Sequence, residues 1–149
     1  MTHAIVLIEA ERGAMPDLGG ALADVEGVAE AWSVTGEWDF VAMLRVRSPD
    51  EIAVVVTSRL ARLPGIKRTH TMVAFEVFSK HDLEGVAEAY SVTGEWDFVV
   101  VVRVRKAEAV AEVIQNQLTQ VPGIKRTHTM VAFEVFSQHD LEALFSIGN

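Results

Sequence analysis

Glu37 and Asp39 stand two residues apart, and the same pair returns as Glu95 and Asp97. Two carboxylates so close could serve as an acid–base pair, but nothing nearby supplies a nucleophile or an oxyanion hole. Aspartate after a tight turn has two simpler uses. It accepts backbone N–H bonds that fix a hairpin, its commoner role, or it grips the ammonium group of a ligand. Gly36 and Gly94 serve the turn and leave room for a ligand near the backbone. Trp38 and Trp96 either anchor an interface or roof a pocket. His70 and His128 sit mid-strand among threonines, where a histidine is more often a hydrogen-bonded interior or interface residue than a ligand, and His81 and His139 open helices at the surface. The five histidines show no His-x-x-x-His or Glu-x-x-His pairing, so no metal site is expected. No cofactor is expected either. The chain has no cysteine, which removes disulfides and thiolate catalysis and agrees with a reducing compartment.

These residues come in pairs because the chain repeats itself at a shift of 58 residues, Glu26–Glu84 returning as Glu84–Glu142 without a gap. Ser-Val-Thr-Gly-Glu-Trp-Asp-Phe at 33–40 recurs at 91–98, and Pro64–Ser79 recurs unchanged as Pro122–Ser137. Only Ser48–Leu63 and Lys106–Val121 differ along most of their length. The junction tetrapeptides Asp24–Gly27 and Asp82–Gly85 are nearly the same, as a crossover there requires. The reading is one complete unit, residues 1–83, and a partial repeat, residues 84–149, that lacks its first strand and helix.

The elements follow from periodicity. His3–Ala10 is a short apolar run that reads as a strand covered on both faces, and Pro16–Val25 reads as an amphipathic helix stopped by Gly27. Val28–Thr35 and Asp39–Arg47 flank Gly36-Glu37-Trp38 and predict a β-hairpin, repeated by Val86–Thr93 and Asp97–Arg105 around Gly94. Ser48-Pro49-Asp50-Glu51 is a capping box ahead of the stripe Ile52, Val55, Val56, Leu60 and Leu63. Its twin keeps the stripe as Val110, Val113, Ile114, Leu118 and Val121 without the cap. Strands are predicted over Lys67–Phe78 and Lys125–Phe136, with a terminal helix from Ser137 through Phe145; the same helix start, Ser79–Asp82, is cut short by Gly85.

The order β-α-β-β-α-β followed by β-β-α-β and a helix predicts an α+β protein: a ferredoxin-like unit, with helices on one face of an antiparallel sheet, plus a partial second unit. Phe40–Val46 and Thr71–Phe78 are apolar in both strand registers, so the uncovered sheet face must pack on another sheet, from the other copy or another chain. In a ferredoxin-like sheet the first strand is central, so the second copy has a hole. The first copy's last strand, a neighbouring chain or a swapped element is expected to fill it, since unpaired buried backbone groups each cost about 1–3 kcal/mol.

Half the residues are hydrophobic, enough for a substantial core. A formal charge of −8 argues against direct binding of nucleic acid, and the basic pairs Lys67-Arg68 and Lys125-Arg126 are too short to form a patch. No apolar run is longer than the five residues of Phe98–Val102, which is strand length, so no membrane span is expected, and without a leader-like start the protein reads as cytoplasmic.

The hairpin motif at 33–40 with the strand behind it, followed by Pro-Gly-Ile-Lys-Arg-Thr-His-Thr-Met-Val-Ala-Phe at 64–75, resembles the effector-binding domain of the Lrp/AsnC regulators, the regulation-of-amino-acid-metabolism domain. The closing Phe136–Gly148 is similar to the tail of stand-alone members without a DNA-binding segment. The resemblance covers the whole chain once the extra block is allowed for. It implies a ferredoxin-like fold, dimers with sheets face to face as in a dimeric α/β barrel, rings of dimers, small amino-acid-like effectors held between dimers, and no catalysis. By position it implies binding roles for Thr35, Gly36, Glu37, Trp38 and Asp39 with Thr93, Gly94, Glu95, Trp96 and Asp97, and for Thr69, His70 and Thr71 with Thr127, His128 and Thr129. A helix-turn-helix ahead of the domain is not expected from this sequence, and the expected partners are further copies of the chain, in a dimer or larger assembly including a strand-swapped one, and DNA-binding relatives.

Two other classes fit parts of the sequence. Dimeric α+β barrels also host small oxygenases and isomerases, although the interior candidates here are mostly Val, Ala, Phe and Met. Alternatively the duplication is engineered or freshly recombined and serves assembly alone. Val54 and Glu112 occupy matching outer positions on the two long helices, which predicts that the first helix meets another surface and the second faces water.

Overall fold

The computed structural model describes residues 1–79 and 85–137. The predicted terminal helix beyond Ser137, and the interrupted start at Ser79–Asp82 after its first residue, lie outside the described residues. The strands are β1 Thr2–Ala10, β2 Val28–Val34, β3 Phe40–Val46, β4 Ile66–Ser79, β5 Val86–Val92, β6 Phe98–Val102 and β7 Ala132–Phe136. The helices are α1 Met15–Ala23, α2 Pro49–Val54 and α3 Ala107–Glu112. Each of the last two continues through a π-helical turn into a short 3-10 turn, ending at Arg62 and Gln120. Two compact units result, Met1–Val73 with the segment from Met130 onward, and Ala74–Thr129. The repeat boundary at Glu84 falls inside the second.

In the first unit the strand order is β4-β1-β3-β2-β7, the ferredoxin-like order extended by one strand. β1 runs antiparallel to β3 with Ile8 opposite Phe40 and Thr2 opposite Val46. Alternation sends Ala4, Val6, Ile8, Phe40, Ala42 and Leu44 to the helix side, where they pack with Leu18, Leu22, Ile52, Val55 and Leu60 into one core. The opposite side, Ile5, Leu7, Val41 and Met43, is buried too, as the doubly apolar strands required. Gly19 lets α1 lie on the ring of Phe136: a Cβ there would collide with that ring. Ser48 has the extended backbone of an N-cap, but its side chain makes no capping bond, so the predicted capping box is not closed.

The second unit contains the strand order β4-β5-β6 with α3. Its pairing repeats that of the first unit residue for residue. Phe78 faces Ala89 and Val77 faces Tyr90, just as Phe136 faces Ala31 and Val135 faces Trp32. Each copy's second strand is therefore joined by the other copy's last strand, and the repeats have exchanged their ends.

That exchange corrects one expectation. The first copy's last strand pairs with β5 and not in the hole left by the missing first strand, and the outer edge of β6 has no strand beside it among the described residues. A second correction follows: the strand predicted over Lys125–Phe136 forms only from Ala132 to Phe136, since residues 124–130 lack a first strand to pair with.

Candidate functional site

The β2–β3 connection turns at Gly36, whose φ of +108° only glycine adopts cheaply; Gly94 repeats it at +106°. The turn is locked from both sides. Val34 N–H donates to the Asp39 carbonyl at 3.0 Å, and Asp39 N–H donates to the Ile8 carbonyl at 2.9 Å. The Asp39 carboxylate accepts the Ala10 N–H at 2.8 Å. Asp39 therefore serves the fold, tying the hairpin to the end of β1. Thr35 is also engaged, its N–H donating to the Val131 carbonyl at 3.0 Å and its hydroxyl accepting the Val131 N–H at 3.1 Å.

Behind the turn the side chains of β4 alternate. Arg68 and His70 lie on the side of Trp38: the guanidinium carbon sits 4.1 Å from the indole centroid, a cation–π contact, and the His70 ring is 6.3 Å away and tilted. Arg68 Nε donates to Glu9 at 2.6 Å, and its terminal nitrogen lies 3.5 Å from Glu37. The bond from Arg68 holds the Glu9 carboxyl below its ordinary range, and the bond to Glu9 raises Arg68 in turn. Thr71 points the other way, into an open apolar groove with Pro49, Ile52, Val56 and Val73, and by alternation Thr69 shares its side. The predicted site thus divides, with Glu37, Trp38 and His70 together and the two threonines apart.

The second copy rebuilds the cluster. Arg126 lies 4.2 Å from the Trp96 centroid and 3.5 Å from Glu95, and His128 lies 6.2 Å from Trp96. Val92 N–H again donates to the Asp97 carbonyl, at 3.0 Å. Among the described residues the first-strand partners are missing: Arg126 has no counterpart of Glu9, and the Asp97 carboxylate meets no N–H donor. Thr127, His128 and Thr129 are exposed. Arg68, Arg126 and Glu9 are the site residues that sequence reading missed. The signal was an arginine two positions before a histidine, and so on the same strand face, repeated in both copies.

No group of three or more potential metal ligands exists among the described residues, and no helix there is long and apolar enough to cross a membrane.

A family model described as the Lrp/AsnC ligand binding domain matches residues 3–84 and again 81–141. Among curated proteins, the uncharacterized HTH-type transcriptional regulator PYRAB16920 of Pyrococcus abyssi is 34% identical over 56 residues, 38% of this chain and 37% of the relative. PF0250 of Pyrococcus furiosus, of the same description, is 39% identical over 51 residues, 34% of each. The chain spans about a third of the length of these relatives. The crystal structure of TTHA0845 from Thermus thermophilus is 39% identical with a TM-score of 0.51, covering 54% of this chain and 100% of that one. The hairpin, the strand order and the doubled match together place this chain in the family of Lrp/AsnC ligand-binding domains, related to transcriptional regulators.

Proposed function

We propose that this chain is a non-enzymatic cytoplasmic module that binds a small amino-acid-like effector at its hairpin tips, forms homo-oligomers, and co-assembles with DNA-binding relatives. The observation that carries the reading is a guanidinium stacked on an indole with a carboxylate at its edge, built twice: Arg68, Trp38 and Glu37, then Arg126, Trp96 and Glu95. A zwitterion has the complementary charges. Its carboxylate meets the guanidinium, its ammonium group meets the glutamate, and the indole covers its side chain. Thr35, Gly36 and Asp39 shape the tip in one copy and Thr93, Gly94 and Asp97 in the other.

The second copy is the better receptor, because Arg126 keeps one carboxylate neighbour where Arg68 has two. Exposed Phe75, Val77, Phe133 and Val135 on β4 and β7 supply apolar surface for assembly.

Thermal-shift screening against the amino acids, paired with mass measurement of the native complex, tests both parts. A bound effector stabilises by RT ln(1 + [L]/Kd), about 2.7 kcal/mol at a hundredfold excess. One or a few amino acids should raise the midpoint, Arg126→Gln should abolish the shift, and Arg68→Gln should leave most of it. A flat response to every amino acid, or a shift that survives Arg126→Gln, refutes effector binding at this cluster. A monomeric mass refutes the assembly.

A further inference from the structure

Four deficits of the second copy have one common cause. The first is an open strand edge. β3 is paired by β1 along its length, whereas the matching edge of β6 has no strand beside it among the described residues. The second is exposed core. Phe40 is 1% accessible and its repeat Phe98 is 60%; Ala42 is 0% and its repeat Val100 is 37%. The third lies across β5, where Phe78 is 45% accessible while its repeat Phe136 is half-buried under α1 at Gly19. The fourth is polar: Arg126 lacks the carboxylate that Glu9 gives Arg68, and Asp97 lacks the clamp that Ile8 and Ala10 give Asp39. All four partners in the first copy belong to β1 or α1.

We propose that the second copy is a socket for a strand–helix segment supplied in trans by a different polypeptide. The first copy is the template for the occupant. It adds a strand of Val/Ile/Leu type antiparallel to β6, with the residue in the place of Ile8 opposite Phe98. It carries a glutamate at the Glu9 position for Arg126, and a helix with glycine where Phe78 must seat. A second copy of this chain does not fit, because each chain has one such segment and buries Ala4, Val6, Ile8, Leu18 and Leu22 of it in its own first unit. The strand edge explains why the site takes a peptide backbone: an outer edge with no strand beside it among the described residues, next to exposed Phe98 and Val100, is a template for strand addition.

The probe is residues Met1–Val25 of this chain fused to a soluble carrier and added to the intact 149-residue protein. The expected result is saturable binding of one segment per chain, with slowed amide exchange at Asp97–Val102 and unchanged exchange at Thr2–Ala10. Gly19→Val in the segment should weaken binding at least about tenfold by crowding Phe78. Val100→Lys in the protein should do the same while leaving the exposed position free to fold. The segment's glutamate and an effector carboxylate compete for Arg126, so the binding is measured without amino acids, and a failure of effector binding leaves this result intact. The proposal is overturned by absence of saturable binding, by faster exchange at Thr2–Ala10, which would signal displacement of the protein's own β1, or by protection of β6 before any segment is added.

Discussion

The Asp39 carboxylate accepts the backbone N–H of Ala10 at 2.8 Å, across 29 residues of sequence. Asp97 has the same sequence surroundings without that donor, so the two aspartates differ in energy although the sequence treats them alike. A bond from a backbone amide to a charged acceptor contributes about 1.5–3 kcal/mol. Asp39→Ala should lower stability in urea titration by about 2 kcal/mol, and Asp97→Ala by no more than about 0.5 kcal/mol. Equal losses would show that the clamp on β1 is not what Asp39 provides.

The same asymmetry applies to the aromatic pair. Phe136 lies against α1 at Gly19, and Phe78 has nothing comparable over it among the described residues. Truncating a well-packed phenylalanine costs about 3–5 kcal/mol, less where the site is partly open. Phe136→Ala should cost about 2–3 kcal/mol and Phe78→Ala under about 1 kcal/mol, read as midpoints of chemical denaturation.

The Glu9–Arg68 pair sets a pH dependence. Glu9 is held below its ordinary value of 4.5 by the bond from Arg68, so its contribution is complete above that value. It disappears as pH falls through the depressed folded value, because protonation removes the charge that Arg68 needs. The pair is at the surface, and the effect on stability should be small. Carbon-detected titration should give Glu9 a midpoint below 4.5 that moves up in Arg68→Gln; an unmoved midpoint would contradict the assigned cause.

Val54 stands exposed on α2, 44% accessible, where the matching residue of α3 is Glu112. If that face of α2 meets another subunit, Val54→Glu should shift sedimentation toward smaller species while leaving the monomer's fold intact. Unchanged sedimentation would release this face from the assembly.

Much of this was legible in the residues. The repeat and the turn glycines located both hairpins, and the apolar stripe from Ile52 to Leu63 located the long helix. Phe40–Val46, apolar in both registers, is buried on both faces as its pattern demands, whereas Thr71–Phe78, apolar in the same way, leaves Phe75, Val77 and Phe78 exposed. The exchange of β4 and β7 was not legible for a physical reason: the two copies of each strand are identical there, so local preference cannot decide whether Phe78 faces Ala31 or Ala89. Arg68 was passed over as half of a short basic pair because its significance depends on Glu9, 59 residues away, and on strand alternation placing it over Trp38. The failure of residues 124–130 to form a strand has a similar origin: propensity describes the segment, but a strand requires a neighbour.

The exchanged last strand also governs the order of events during synthesis. Thr35 is bonded to Val131 across 96 residues, and β2 waits for β7. On the ribosome the amino-terminal half would emerge with that edge bare until Ala132–Phe136 has left the exit tunnel. Closure so distant in sequence predicts slow maturation, and a nascent chain stalled before Ala132 should engage holdase chaperones that the finished molecule ignores.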